Sequence, residues 1–349
     1  VNKILFLGDL NSYARSSQRY NTLIDLGCKV DGLSFVEPET TSRITPPLRL
    51  WSRIRNRLGY PVDETNINER ILDYIDHETP DLIWNEKGLM IKPSTLKTIK
   101  ESYPKVKLVF YSEDDMFAKH NQSKYFRDGL LLHDIVFSTK SYNCNPDELP
   151  SLGAKKVLFV AQAFDRNTHR PIPVNDKDRL KFGSDVGFIG TYEKDRAEKI
   201  LFLAESKVKV RVWGNGWKNW VGKHPNFQIE NKPIYNEDYI KAICATKINL
   251  GFLRKINRDL HTSRTIEIPA CEGFLLAERT NEHQRLFEKN KEAVYFDIEN
   301  PGELLEKIRY YLEHDEEREA IAKAARERCL KSGYSHHDRL SWMLKQILS

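Results

Sequence analysis

The chain has 349 residues, of which 40% are hydrophobic, 30% charged and 11% aromatic; this excludes a disordered or fibrous protein and makes two domains the default expectation. A net charge of +5 from 55 basic and 50 acidic residues is too small and too spread to point to nucleic acid. Cys28, Cys144, Cys244, Cys271 and Cys329 are widely spaced and show no C-x-x-C pair, so neither a disulfide framework nor a zinc site is indicated, and a reducing cytosol suits them.

Val1 to Gly8 passes straight into a short apolar strand and lacks the apolar core and cleavage site of a signal peptide. The chain does not begin with Met, which leaves an upstream segment open. No run approaches the roughly 18 apolar residues of a spanning helix. The expected location is the cytoplasm, with peripheral contact at the inner membrane face as the furthest departure.

Apolar runs at Ile4–Gly8, Val30–Phe35, Leu82–Asn85, Val106–Ser112, Ile135–Ser138 and Val157–Ala161 alternate with helix-like segments such as Arg15–Gly27 and Asn66–His77. Such alternation predicts a parallel, doubly wound sheet. Asp165 to Gly183 carries prolines and charges without apolar periodicity and reads as a linker. The pattern then restarts with strands at Asp185–Gly190, Val208–Trp213, Lys247–Leu253 and Phe274–Ala277, and helices at Lys194–Ala204, Asn236–Ala245 and Ser263–Cys271. Asn281 and Asn300 read as helix caps, the second followed by Pro301 and Glu303. A last helix from about Ser335 to Leu348 carries Leu340, Met343, Leu344 and Ile347 as its stripe. The expected domains are 1–170, a linker at 171–184, a second α/β domain at 185–334 and the helix at 335–349.

The run from Asn257 to Gly273 packs charged, hydroxyl and small residues into a strand-to-helix junction. Ser263-Arg264-Thr265 opens a helix, where unpaired amides and the positive dipole end favour an anion. Glu267 lies one turn further in, within reach of a ribose if the phosphates sit at the helix start. A capped helix with a surface glutamate would carry the same letters. Gly190-Thr191-Tyr192, followed by Arg196, and Trp213-Gly214-Asn215-Gly216-Trp217 end the two preceding strands. There glycine admits close approach and an indole could cover a base or sugar; core tryptophans beside turn glycines are the competing reading. Arg254 and Lys255 follow a strand end, where a fixed cation would neutralise a leaving diphosphate.

Together these segments resemble the CgeB-type glycosyltransferases, a bacterial family of the broader group-one glycosyltransferases. The resemblance runs through Gly187–Tyr192 with Arg196, Gly214-Asn215-Gly216-Trp217, Ile248-Asn249-Leu250, Asn257–Gly273, Glu282-His283, Leu286-Phe287-Glu288, Glu292–Phe296 and on to Gly333-Tyr334-Ser335. It implies a GT-B fold: two Rossmann-like doubly wound domains facing a cleft, with the C-terminal helix free to cross back to the first. It also implies a nucleotide diphosphate sugar as substrate, with no cofactor or metal. Glu267 would hold the ribose, while Ser263, Arg264 and Thr265 lie near the diphosphate. Asp259 stands eight residues before Glu267, the paired-acid spacing of related retaining enzymes, but is one methylene shorter than the usual glutamate. His261 is a second candidate for the chemistry, although a structural histidine fits there as well. Glu272 departs from the glycine of many relatives.

The first domain is expected to take the acceptor. Its strand-end loops hold Asp9, with Arg15 following, then Asn85 to Gly88, and Glu113, Asp114 and Asp115, with His120. A base for an acceptor hydroxyl could be Asp9, Glu86, Glu113, Asp114 or Asp115, and nothing in the sequence selects among them. Leu48–Tyr60 is basic and amphipathic, suited to an anionic membrane or lipid-linked acceptor, with packing of the helix on its own domain the leading alternative. The expected activity is glycosyl transfer from a nucleotide sugar to a hydroxyl of a glycan, lipid-linked or protein acceptor, in polysaccharide or glycoconjugate synthesis. A GT-B-like sugar-nucleotide epimerase or hydrolase, or a non-catalytic sugar-nucleotide-binding scaffold, would share the fold.

Overall fold

Strands that are apolar on both faces cannot be left half-solvated, so they pair in parallel beneath crossover helices. Two sheets are built this way in the computed structural model, which describes residues 3–37 and 50–348, the side chain of Leu50 excepted. Val1, Asn2, Leu48, Arg49 and Ser349 therefore lie outside the described residues. Contacts divide the chain into two units, one formed up to Ala161 together with the residues from His336 onward, the other Gln162–Ser335.

The first unit runs β1 (Lys3–Gly8), α1 (Arg15–Asp25), β2 (Lys29–Ser34), α2 (Leu50–Arg57), α3 (Ile67–His77), β3 (Leu82–Glu86), α4 (Pro93–Ser102), β4 (Lys107–Ser112), α5 (Lys124–Gly129), β5 (Ile135–Ser138) and β6 (Val157–Phe159). The second follows with α6 (Asp176–Phe182), β7 (Ser184–Ile189), α7 (Lys194–Glu205), β8 (Val210–Trp213), β9 (Phe227–Ile229), α8 (Asn236–Ala245), β10 (Thr246–Gly251), α9 (Ser263–Ala270), β11 (Leu275–Glu278), α10 (Asn281–Leu286), β12 (Val294–Phe296), α11 (Pro301–Glu313) and α12 (Asp315–Lys331). Helix α13 (His336–Leu348) then returns to the first unit.

Strand order in the first sheet is β2-β1-β3-β4-β5-β6, and in the second β12-β11-β10-β7-β8-β9. All pairings are parallel, as in Leu5 opposite Ile83 and Ile248 opposite Val186. The second order is that of a dinucleotide-binding Rossmann sheet, and the first follows the flavodoxin pattern. In each, the order reverses once: between β1 and β3, and between β7 and β10. Ligands of open α/β sheets bind beyond the carboxyl ends of the strands at such a reversal.

Several elements differ from expectation for local reasons. The stretch read as a linker contains α6, capped by Asn175 Oδ1 accepting from the Asp178 amide at 2.9 Å and anchored by buried Phe182 against Trp213; a single apolar anchor produces no periodicity. The cap of α10 is Thr280, whose hydroxyl accepts from the His283 amide, which makes Asn281 the first helical residue. Asn300 does cap α11, accepting from the Glu303 amide. Edge strands β9 and β12 have three residues each, too few to register as alternation.

Leu340, Met343 and Ile347 of α13 are buried among Ile4, Phe6, Trp84 and Phe137 of the first sheet. Truncating a fully buried leucine typically costs about 2–5 kcal/mol. Leu340→Ala should lower unfolding free energy by that amount in urea titration; an unchanged midpoint would refute the packing of α13.

Candidate functional site

At the reversal in the second sheet, the loops after β7 and β8 touch through backbone. A Cβ on Gly214, which has φ 150°, would lie 2.0 Å from the Gly190 carbonyl oxygen, so only glycine fits. The Tyr192 amide donates to Asn215 O at 2.9 Å, tying Thr191, Tyr192 and Asn215 into one double loop. Trp217 braces it from inside: it is fully buried, its indole N–H donates to Gly190 O at 2.9 Å, and its ring meets Phe188, Tyr192 and Phe227 edge-on. The indole expected to cover a base or sugar is a core residue that shapes the loop.

Arg196, on the first turn of α7, is also buried and acts on backbone. Its Nη1 donates to Thr191 O at 3.0 Å, and its Nη2 donates to Leu253 O at 2.8 Å and to Glu193 Oε2 at 3.3 Å. From the opposite side Glu278, ending β11, accepts the Leu253 amide at 2.7 Å. The Leu253 backbone is thus held at both its amide and its carbonyl, and Arg254 emerges from it with Nε 3.2 Å from Glu193 Oε1. Lys255 is exposed and paired with Asp195. Burial brings the Arg196 guanidinium down to about 10, with Arg264 and Arg254 pushing the same way against Glu193 and Glu278.

Helix α9 starts from Thr262, whose amide donates to Thr265 Oγ1 at 3.0 Å. Thr265 Oγ1 also lies 2.9 Å from His283 Nε2. Because His283 Nδ1 faces the Glu278 carbonyl at 2.6 Å it must carry the proton, so Nε2 accepts from the threonine. Burial takes His283 down to about 4, consistent with a neutral ring. Ser263 is buried, and half-buried Arg264 has no hydrogen-bond or ion-pair partner among the described residues. It stands at the amide-rich end of the helix, close enough to Arg196 to depress its pKa.

Glu267 is buried one turn into α9. Its Oε2 accepts from Tyr239 Oη at 2.6 Å, and His169 Nε2 lies 3.8 Å from Oε1. His169 Nδ1 accepts the Asp165 amide at 3.0 Å, so its Nε2 proton points at the glutamate. Burial, reinforced by Glu267, holds the Tyr239 hydroxyl well above its ordinary pKa, keeping it a donor. Tyr239, His169 and Glu278 escaped the sequence reading because they reach the site from α8, the segment before α6 and the end of β11. Glu272 is exposed, at φ 58°, with Arg326 Nε 3.7 Å away.

The two proposed chemical residues of the loop are held differently. Asp259 accepts the Asn257 side-chain amide at 2.8 Å, beside Arg258 in the left-handed region. His261 is buried with both ring nitrogens engaged: Nε2 accepts the Gln162 amide at 3.0 Å, and Nδ1 therefore donates to Glu282. That geometry suits a structural residue and leaves no nitrogen for proton transfer.

In the first unit, strand-end charges neutralise one another. Arg19 makes a bidentate pair with Glu86 at 2.8 and 2.7 Å and reaches Glu113 at 2.7 Å, while Arg15 Nη2 lies 2.6 Å from Glu113. Burial alone would raise the Glu113 carboxyl, but Arg15 and Arg19 outweigh it and hold it well below the usual carboxylate range, which makes a poor base. Asp114 pairs with Lys87. Asp115 is fully buried, accepting from the Asn143 side chain at 2.9 Å and the Phe117 amide at 3.2 Å, an anchoring role. Half-buried Asp9 uses Oδ1 to accept from the Asn11 amide and side chain, and its Oδ2 has no partner among the described residues. His120 is exposed.

Burial pushes the Glu278 carboxyl up to about 7, against the Leu253 amide, Arg196 and Lys255. A folded value above the ordinary 4.5 means that stability is full below about 4.5 and is lost as the pH rises through 7. Glu278→Gln keeps an acceptor for the Leu253 amide and removes the ionisation. Its melting temperature should therefore fall less than the parent's between pH 5 and 7.5, by the equivalent of up to about 3 kcal/mol; parallel curves would contradict the assignment.

Residues 196–345 match the family described as glycosyl transferase-like. No curated protein matches the chain. Among solved structures, a glycosyltransferase from Rickettsia africae superposes with a TM-score of 0.67 at 14% identity, covering 100% of both chains. An alpha-glucosyltransferase bound to UDP and a 13-mer DNA gives 0.67 at 12% identity, again over 100% of each. HepE of Anabaena, in complex with UDP and glucose, gives 0.63 at 13% identity over the same full lengths. At such identities the likeness establishes the fold, which agrees with the two parallel Rossmann-like sheets. The chain accordingly has the GT-B fold, and its residues 196–345 match a glycosyl transferase-like family.

Proposed function

We propose that the protein transfers a sugar from a nucleotide diphosphate sugar to a hydroxyl of a glycan, lipid-linked or protein acceptor in polysaccharide or glycoconjugate synthesis, as a CgeB-type enzyme of the cytoplasm. The observation that carries the reading is Arg264: a half-buried guanidinium without a partner among the described residues, at the start of α9, close to Arg196 and at the reversal point of a Rossmann sheet. A diphosphate would satisfy it. Charge developing on the leaving diphosphate would be met by Arg264, Arg254 and the amides at the start of α9, fixed in place before reaction.

Glu267, oriented by Tyr239 and His169, is assigned to the ribose, and the Gly190–Tyr192 and Gly214–Asn215 loops to the donor's sugar and phosphate side. Asp259 keeps its candidacy beside the donor sugar. For the acceptor hydroxyl the assigned base is Asp9, whose Oδ2, without a partner among the described residues, sets it apart from the paired or anchored Glu86, Glu113, Asp114 and Asp115. Five free thiols support a reducing compartment, and no helix among the described residues is long and apolar enough to cross a membrane.

A thermal-shift screen over UDP-, GDP-, dTDP-, ADP- and CMP-sugars should reveal one that raises the melting temperature, since a ligand selective for the folded state stabilises it. Loss of a charge-assisted contact is worth about 1.5–3 kcal/mol, so Arg264→Ala should weaken that ligand roughly tenfold to a hundredfold, and Glu267→Ala should weaken its binding as well. No response to any nucleotide sugar would overturn the reading. Asp9→Asn should lower turnover with acceptor while donor affinity stays within about twofold of the parent.

A further inference from the structure

Helix α2 is attached to its unit by its polar side. Ser52 is buried, the Arg55 guanidinium donates to Tyr125 Oη at 3.2 Å and to Tyr60 O at 3.4 Å, and Gly59 O accepts the Lys124 amide at 2.7 Å. Tyr60 then packs edge-on against Tyr125 beneath the Lys124 ammonium. At 100° per residue this attachment consumes the Ser52, Arg55 and Gly59 side. Trp51, Ile54 and Leu58 fall together on an adjacent face and are 67%, 40% and 60% exposed. The sequence favoured the opposite, with these three turned inward.

An amphipathic helix fixed with its apolar side outward has nothing to gain from that arrangement in water. Exposed Arg53 and Arg57 continue the face past Ile54, and Lys124 and Arg127 of α5 are exposed as well. Residues 48–60 hold four arginines and no acid. The next acid, Asp63, is turned to the start of α3, accepting the Ile67 and Asn68 amides at 2.8 and 3.0 Å.

We infer that α2 docks the protein on an anionic lipid bilayer, with Trp51, Ile54 and Leu58 entering the interface and Arg53 and Arg57 meeting lipid phosphates. An aromatic and two aliphatic side chains flanked by arginine match the depth profile of a headgroup region, apolar below and anionic above. The charge complementarity singles out an anionic surface over a neutral one. This docking is independent of the transferase reading, since neither the donor site nor Asp9 takes part.

Sedimentation with vesicles tests it, using the full chain, phosphatidylcholine alone and an equimolar phosphatidylcholine–phosphatidylglycerol mixture. The protein should bind the anionic vesicles, bind them less as salt rises, and ignore the neutral ones. Trp51→Ser/Ile54→Ser/Leu58→Ser should reduce anionic-vesicle binding at least tenfold, and Arg53→Gln/Arg57→Gln should reduce both binding and its salt dependence. All five positions are exposed, so unchanged circular dichroism and melting temperature are expected. Absence of vesicle binding, or equal binding by the triple variant, would overturn the inference. So would a concentration-dependent dimer in sedimentation velocity that the triple variant abolishes, which would give the surface to a second copy of the chain.

Discussion

The backbone of Leu253 is gripped from both sides, its amide by Glu278 and its carbonyl by Arg196, and the electrostatics of the second unit's strand ends follow from that grip. Arg196 gives its Nη groups to carbonyl oxygens and Glu193, and Arg254 shares the same carboxylate, so one acid stands against two guanidinium charges. Glu278 is held near the midpoint of its titration by burial and returns only part of a negative charge. The sum is a positive region facing the start of α9, where Arg264 and the helix amides add the same sign. That end of the sheet is thereby kept positive by residues whose own side chains are engaged elsewhere.

The first unit resolves the same topological situation in the opposite way. Arg15, Arg19, Glu86 and Glu113 sit at the corresponding sheet edge and cancel one another in a buried network, with the Arg19 guanidinium over the Tyr111 ring. Removing one member of such a network strands an uncompensated charge, which costs more than the intact pairs contribute. That unit therefore presents a nearly neutral rim, on which Asp9 Oδ2, without a partner among the described residues, stands out. One sheet edge carries an excess of positive charge and the other almost no net charge.

What was readable in the sequence was whatever a short contiguous run can encode. Glycine at the strand ends, the hydroxyl-arginine helix start and the alternation of apolar runs with helical segments all lie in local windows, and they located both sheets and the Asn257–Gly273 junction. Glu278 and Tyr239 carry no such local mark: each matters because a separate strand or helix delivers it to the junction, a relation only the folded chain expresses. The buried state of Trp217 was equally hidden, since an indole beside two glycines looks the same whether it faces a ligand or the core. Helix α12 went unpredicted because its inward face is Ile321, Ala322, Ala325 and Cys329, mostly small side chains that leave almost no hydrophobic period.

The return of α13 to the first unit makes the second an insertion within it, spanning Gln162–Ser335. On a ribosome, the second unit has its whole sequence available while the first still lacks the helix that covers Ile4, Phe6 and Trp84. The first unit thus waits, with that apolar surface uncovered, until α13 emerges, and its completion depends on contacts of long sequence separation, a class of contact that forms slowly. The second unit is free to fold before the first is complete, and the interval between the two leaves that apolar surface open to aggregation.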